Sequence, residues 1–206
     1  LLFTLGLFTA VSILYIAAGG VSAIVWTNVL QALLFVAEKP LGPPEMAYVR
    51  NTNILRTVVR TEEGSCEIID FAPRLPAGLG VRAPVEVHRL IRPIEGMPRL
   101  QAIFDPRPDY GRAPIDLAIT SDGLEVLGGP HRLYLHTNVP ASSVTDRRPF
   151  RVDRPCYFVL SASRPSDLHD AASVARGLEL THDGWRAWCR QLRCNRRTFP
   201  CNAFHG

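Results

Sequence analysis

Residues 54–71 read ILRTVVRTEEGSCEIIDF, and this stretch decides the fold class of the chain. Residues 54–60 and 66–71 are rich in β-branched and apolar side chains, which favour an extended backbone. Glu62-Glu63-Gly64 between them has the composition of a turn. Two short extended runs joined by a turn predict an antiparallel β-hairpin, so this part of the chain is predicted to be mainly β.

Further strands are predicted after the hairpin. They cover residues 85–92, 100–104, 115–120, 124–127, 132–136 and 157–160. Ser121-Asp122-Gly123 contains the Asp-Gly pair typical of a tight hairpin turn. The alternation in 85–92 changes phase near His88-Arg89, which indicates either a bulge or a strand buried on both faces. Short strands at this spacing, with prolines in the connections, predict an antiparallel β-sandwich.

Helix is predicted only near the C-terminal end. Ser166 or Asp167 can cap a first helical run that ends near Gly177, and a second run starts at about His182. The second run places four large or apolar residues on one face, at helical spacing: Trp185, Trp188, Cys189 and Leu192. The pattern predicts a helix that packs its tryptophans against a partner surface.

The first 37 residues carry no charged side chain, and Glu38 is the first charged residue. Gly19-Gly20 divides this run into two halves, roughly 1–18 and 21–37, each long enough to be a bilayer-spanning helix. Scattered polar residues leave a buried pair of soluble helices as an alternative. The sequence thus predicts two apolar, transmembrane-like helices before the sandwich. The chain is membrane-associated if they insert into the lipid bilayer and cytoplasmic otherwise.

The net charge of +4 lies entirely after residue 37. Arginines crowd the C-terminal end: Arg186, Arg190, Arg193, Arg196 and Arg197. A basic segment can bind phosphate groups. Neither interleaved aromatic residues nor a known nucleic-acid-binding motif accompanies this one, so no nucleic-acid partner is predicted.

The five cysteines show no paired spacing: Cys66, Cys156, Cys189, Cys194 and Cys201. An odd, unpaired set favours reduced thiols in a cytosolic domain over a disulfide framework. A zinc site made of Cys189, Cys194, Cys201 and His205 is an alternative, but this set lacks a Cys-x-x-Cys pair. We therefore predict no metal and no cofactor.

Two carboxylates close in sequence are candidates for acid–base chemistry. Asp105 and Asp109 lie four residues apart on a proline-containing segment. That spacing does not set two carboxyl groups face to face across a sugar, as glycoside hydrolysis requires. Arg107 and Arg112 offer ion-pair partners instead, which predicts a structural role for both aspartates.

The histidines do not form a catalytic set either. His131 and His136 point to opposite faces of a predicted strand, and His88 is predicted to be a half-buried strand residue. His169-Asp170 and His182-Asp183 have the character of polar residues at helix starts. A nucleophile elbow, a P-loop and a zincin motif are all missing from the sequence. We predict no catalytic, cofactor-binding or metal-binding residues.

One short stretch resembles a transporter. Residues 15–31, YIAAGGVSAIVWTNVLQ, are similar to the Y-x-x-x-G-G-x-x-A-V-x-x-T-D-x-x-Q segment of the sodium/solute symporter family, with Asn28 where that family has Asp. The resemblance implies that residues 1–37 are a symporter-like helical fragment. It carries over no sodium or substrate site. The alternative function is a membrane protein fragment with a cytosolic appendage.

A second resemblance covers about residues 45–192. Its elements, in order, are Asn51-Thr52-Asn53-Ile54-Leu55-Arg56-Thr57, Gly64, Ile69-Asp70-Phe71-Ala72-Pro73, His88-Arg89-Leu90-Ile91-Arg92, Phe104-Asp105-Pro106-Arg107-Pro108-Asp109-Tyr110-Gly111-Arg112-Ala113, Thr181 and Trp185-Arg186-Ala187-Trp188. In this order they resemble the trehalase-like N-terminal domain of glycoside hydrolase family 15, the glucoamylase and trehalase-like enzymes.

This second resemblance implies a non-catalytic role in carbohydrate metabolism. Residues 38–165 would be the β-sandwich, and residues 166–206 a helical linker toward an (α/α)6 catalytic barrel that holds the family's carboxylate pair and would cover the Trp185/Trp188 face. The family's opening G-S-I-D-W-L-C segment is replaced here by residues 1–37, and the chain stops before a barrel. We therefore expect a truncated chain, inactive by itself, from an enzyme acting on an α-linked glucoside such as trehalose or an oligomaltoside.

Overall fold

The computed structural model describes residues 33–78, 80–108, 112, 114–128, 132–162 and 170–191. The described strands are β1 (Leu33–Ala37), β2 (Glu45–Tyr48), β3 (Leu55–Thr61), β4 (Gly64–Phe71), β5 (Leu75–Ala77), β6 (Gly80–Arg82), β7 (Glu86–Gly96), β8 (Arg99–Phe104), β9 (Asp116–Thr120), β10 (Gly123–Leu127), β11 (Leu133–Thr137), β12 (Phe150–Arg151) and β13 (Cys156–Ser161). The described helices are α1 (Ala141–Thr145) and α2 (Ala171–Gln191).

Eight antiparallel strands form a large sheet in the order β2-β3-β4-β7-β13-β11-β10-β9. The predicted hairpin of residues 54–71 is confirmed as β3–β4, with Leu55 paired to Asp70 and Thr61 to Gly64. The Asp-Gly turn is confirmed as the β9–β10 connection. Gly123 in this turn has φ +148°, and a Cβ there would lie 1.9 Å from the carbonyl oxygen of Leu135, so only glycine fits.

A small sheet, β1-β8-β12, covers one face of the large sheet. Side chains from both sheets form one apolar core, in which the rings of Phe35, Phe150 and Phe158 pack together, with Phe35 and Phe158 4.9 Å apart between centroids. The predicted antiparallel sandwich is therefore confirmed. β13 lies at its centre and is buried along its whole length, as its continuous apolar run predicts.

Helix α2 packs on the other face of the large sheet, which makes a third layer. Val174, completely buried, meets Ile69, Phe71, Leu90 and Val159 there. The C-terminal helix is thus confirmed in position and type.

The predicted break in this helix at Gly177 is wrong, because α2 runs continuously from residue 171 to residue 191. Glycine lowers helix stability by about 1 kcal/mol relative to alanine, and packing along the buried face outweighs that. The helix cap is Asp170, whose Oδ1 accepts hydrogen bonds from the backbone N–H and the hydroxyl of Ser173, both at 2.7 Å. The predicted caps Ser166 and Asp167 lie outside the described residues.

The second predicted apolar helix, residues 21–37, is wrong over its last five residues, because Leu33–Ala37 is strand β1. This strand pairs with β8, Leu33 opposite Phe104, and it alternates between buried Leu33 and exposed Leu34. Arg89 donates a hydrogen bond to the Leu33 carbonyl oxygen and so ties β1 to the large sheet. An uncharged apolar run is compatible with either a helix or a strand, and pairing with β8 selects the strand.

The remainder of the two predicted transmembrane-like helices, residues 1–32, lies outside the described residues, together with the symporter-like stretch 15–31. Within the part of the chain that is described, no helix combines the length and the apolar character needed to cross a membrane.

The phase change in β7 comes from burial on both faces, which confirms one of the two predicted alternatives. His88 and Arg89 face opposite sides, toward the helix layer and toward the sandwich core respectively. A bulge exists farther along, where Ser65 pairs with Glu95 and Cys66 with Pro93. The shift suits proline, which has no N–H to donate to the sheet.

Candidate functional site

Two tryptophans lie one turn apart near the C-terminal end of α2. The rings of Trp185 and Trp188 meet edge to face with centroids 5.6 Å apart. Trp185 is partly buried, whereas Trp188 is 47% exposed. The guanidinium of Arg74 lies 4.5 Å from the centre of the Trp185 ring, a cation–π contact. We call Arg74, Trp185 and Trp188 the tryptophan face.

Contacts on both sides hold the tryptophan face in place. The backbone N–H of Arg74 donates to the hydroxyl of fully buried Thr181 at 3.0 Å. The thiol of Cys189 donates a weak hydrogen bond to the carbonyl oxygen of Asn51 at 3.5 Å. Trp185 Nε1 is buried and has no hydrogen-bond partner within the described part of the chain. Three members of the predicted stripe, Trp185, Trp188 and Cys189, therefore lie on α2 and are only partly covered, whereas Leu192 lies outside the described residues.

A groove of about 660 Å³ lies beside the N-terminal half of α2. It opens over the large sheet and is lined by Arg92 of β7 and Arg154 of the β12–β13 connection. A smaller groove of about 210 Å³ shares Arg92 and continues along the helix toward Leu178 and His182. We call the larger one the arginine groove. The sequence did not indicate this groove, because the residues that line it come from segments far apart in the chain.

Of the two predicted acid–base candidates, the structure describes Asp105 alone. Asp105 and Arg107 form an exposed ion pair, with Nη2 and Oδ2 2.8 Å apart, as the sequence predicts. Asp109, its proposed companion, lies outside the described residues. Arg112 has an interaction partner of its own.

Three histidines can be located. His88 is 2% exposed, so the prediction of a half-buried residue is wrong; it lies inside because α2 and the strands cover that face. His136 Nδ1 lies 3.7 Å from Asp122 Oδ2. His182 lies 3.4 Å from Asp183 and in the middle of α2, since the helix does not restart after Gly177. His131 and His169 lie outside the described residues, whereas Asp170 does begin a helix.

A row of buried polar side chains on the helix side of the large sheet was missed by sequence reasoning. His88 Nε2 and Glu86 Oε2 are 2.8 Å apart, and the His88 ring meets Phe71 edge to face. Ser161 is opposite Glu86 on the neighbouring strand, and Tyr134 is opposite Ser161 on the next. The signal in the sequence is the alternation of polar and apolar residues at the start of β7, Glu86 and His88, and in β11, Tyr134 and His136. His88 Nε2 is paired with Glu86, whereas His88 Nδ1 is buried with no hydrogen-bond partner among the described residues.

The cysteines that the structure describes are not activated thiols. Cys66, Cys156 and Cys189 are free thiols in the structure. Burial raises the pKa of Cys66 and of Cys156 to about 11, so both stay protonated at neutral pH. Cys194, Cys201 and His205 of the zinc alternative lie outside the described residues, among which no cluster of metal-binding side chains occurs.

Comparison with known proteins gives one family match. The family described as "Trehalase-like, N-terminal" matches residues 37–146, more than half of the chain, from the end of β1 through α1. The comparisons give no support to the symporter resemblance of residues 15–31. No curated protein and no solved structure matches the chain.

Proposed function

The chain belongs to the trehalase-like N-terminal domain family, and from this premise we propose that it serves a family 15 glycoside hydrolase of the glucoamylase and trehalase-like group. Its role there is non-catalytic: the sandwich supports an (α/α)6 catalytic barrel and helps to shape the approach to its pocket. The substrate of such an enzyme is an α-linked glucoside such as trehalose or an oligomaltoside. The family match carries this proposal.

The ion pairs of the sandwich support a non-catalytic role. Glycoside hydrolysis uses two carboxyl groups that face each other across the sugar, one protonated and one ionised. Among the described residues, the carboxylates near the strand centres are engaged by arginines, as in Asp70–Arg89 at 2.5 Å and Glu67–Arg56 at 2.6 Å. We therefore expect the purified chain to release no glucose from trehalose or maltose.

The tryptophan face is the surface that we assign to the barrel. Tryptophan and arginine are enriched among the residues that contribute most to protein interfaces. A large apolar ring that is 47% exposed, backed by a second ring and a guanidinium, gains most from being covered. The free thiols suit a reducing compartment, so we place this role in the cytoplasm.

The test mixes the purified chain with the separately produced barrel of a bacterial trehalase-like family 15 hydrolase and measures their Kd by calorimetry. Trp188→Ala should weaken binding by about tenfold or more, the effect of losing one interface anchor. Met46→Ala is the control, because Met46 is also exposed, at 66%, but lies on edge strand β2. Binding unaffected by Trp188→Ala would remove the tryptophan face from the proposal, and glucose release by the chain alone would overturn the non-catalytic role.

A further inference from the structure

The arginine groove lies apart from the tryptophan face. Ala171 and Ala175 of α2 form one wall, and exposed Pro155, just before β13, forms an apolar floor. At 100° per residue, Trp188 lies roughly 140° around the helix axis from Ala175. Within the described part of the chain, the small alanine side chains leave this flank of the helix open, and the groove and the tryptophan face lie on different sides of α2.

The arginines of the groove are incompletely neutralised. Among the described residues, the carboxylate oxygen nearest to Arg92 is Glu67 Oε1, 4.0 Å away, and the other oxygen of Glu67 already accepts from Arg56 Nε at 2.6 Å. Among the described residues, no carboxylate lies within ion-pair distance of Arg154. A guanidinium has five N–H donors, so both arginines retain donors for a ligand.

The other polar groups of the groove are already engaged. Asp170 caps α2 through its bonds to Ser173. The Asn138 side chain donates to the Pro155 carbonyl oxygen and accepts from the Tyr157 backbone N–H, both at 3.0 Å. Asn138 therefore holds the connection that carries Arg154 in place. The lining thus includes one carboxylate, at the helix end, and the hydrogen-bond donors that remain available are the two guanidinium groups above the apolar floor.

We propose that this groove binds a small organic anion. Its carboxylate or phosphate group lies between Arg92 and Arg154, and its body packs on Pro155 beside the alanine wall. Guanidinium groups recognise both anions through paired, charge-assisted hydrogen bonds. A volume of about 660 Å³ is in the range of small-molecule sites in proteins. The apolar floor favours an organic anion over an inorganic one.

Calorimetric titration of the full chain at low ionic strength tests this with glucose 6-phosphate, glucuronate, inorganic phosphate and glucose. We expect both organic anions to bind, with the tighter one identifying the head group. Inorganic phosphate should bind about tenfold more weakly for lack of the floor contacts, and glucose should not bind. Added salt should weaken binding of both anions.

Arg92→Gln and Arg154→Gln should each weaken binding of the tighter anion by about tenfold, as expected when one charge-assisted contact is lost. Arg148→Gln is the matched control, because Arg148 is also exposed but pairs with Asp146 after α1. Thermal melting checks that each variant is folded. The proposal is overturned if neither organic anion binds, or if glucose binds as tightly as glucose 6-phosphate. It is also overturned if inorganic phosphate binds as tightly as the organic anions, or if the two groove variants bind the anion as tightly as Arg148→Gln does.

Discussion

At the scale of single residues, buried charge is concentrated in two places on β7. Arg89 faces the sandwich core, where its Nε lies 2.5 Å from Asp70 Oδ1 and its guanidinium lies over the Phe35 ring. His88 faces the helix layer and contacts Glu86. Each pair satisfies groups that would otherwise destabilise the core, so removing one partner is more damaging than removing an apolar residue of similar size.

Arg89→Met should make stability strongly pH-dependent. Burial raises the pKa of Asp70, and Arg89 opposes that rise. Because the pKa of Asp70 is raised in the folded state, Asp70 contributes to stability at low pH, and this contribution is lost as the pH rises through the folded-state pKa. Without Arg89, the folded-state pKa of Asp70 rises further. We expect a loss of about 3–5 kcal/mol in the free energy of unfolding at neutral pH, measured by urea denaturation. The loss should be smaller near about pH 4, where Asp70 can be protonated.

Two further variants separate this effect from loss of packing. Asp70→Asn in the Arg89→Met background should flatten the pH dependence, because no carboxyl remains to titrate. Arg56→Met removes an arginine from the more exposed pair with Glu67 and should cost at most about 1 kcal/mol. An Arg89→Met loss that is the same at both pH values would contradict the account of Asp70.

His88→Ala should lower the free energy of unfolding by about 3 kcal/mol, since it leaves the Glu86 carboxylate without its partner and opens a cavity beside Phe71. Urea denaturation measures this. His182→Ala is the control: His182 is partly exposed on α2, and its loss should change stability by no more than about 0.5 kcal/mol. Equal effects of the two substitutions would show that the buried row contributes little.

At the scale of elements, α2 shows how packing overrides a local break signal. Glycine at position 177 favours a helix end, yet the residues on both sides of it pack on the large sheet. A Cβ added at Gly177 would lie 4.0 Å from Phe71 Cε2, an ordinary contact. The helix therefore continues because its buried face continues.

Gly177→Ala should raise the free energy of unfolding by about 0.5–1 kcal/mol, because alanine favours the helix and fits the available space. Gly123→Ala is its opposite: it places a Cβ 1.9 Å from the Leu135 carbonyl oxygen and should cost roughly 2 kcal/mol. Circular dichroism during thermal unfolding measures both. A destabilising Gly177→Ala would mean that the helix bends at this residue.

At the scale of the whole molecule, β1 connects the uncharged run to the sandwich. Leu33 is 3% exposed, Phe35 packs against Phe150 and Phe158, and the Leu33 carbonyl oxygen accepts from Arg89. The small sheet therefore depends on residues that precede Glu38, the first charged residue. The start of the charged part of the sequence, at Glu38, therefore does not coincide with the start of β1, at Leu33.

Two shortened chains test this dependence. A chain that starts at Leu33 keeps β1 and is the reference. A chain that starts at Glu38 loses the burial of Leu33 and Phe35 and should be less stable by on the order of 5 kcal/mol. Calorimetric melting compares them, and equal Tm values would show that residues 38–165 form a self-sufficient sandwich.

Much of the architecture was predictable because its signals are local. The β3–β4 and β9–β10 hairpins follow from apolar runs beside Glu62-Glu63-Gly64 and Ser121-Asp122-Gly123, where turn geometry depends on the residues of the turn itself. Burial of β13 follows from its unbroken apolar run. The exposed tryptophan pair follows from helical spacing. The arginine groove was not predictable, since Arg92 and Arg154 line one groove only because β7 and β13 are neighbours in the sheet.

The sequence by itself determined the mainly β class, the positions of the hairpins and the trehalase-like N-terminal family. Only the tertiary structure decided that Leu33–Ala37 is a strand, that α2 passes through Gly177, and that His88 is buried. The physical reason is the same in each case. An uncharged run, a glycine in a helical pattern or a histidine in a strand is locally compatible with two states, and contacts with residues distant in sequence select one of them.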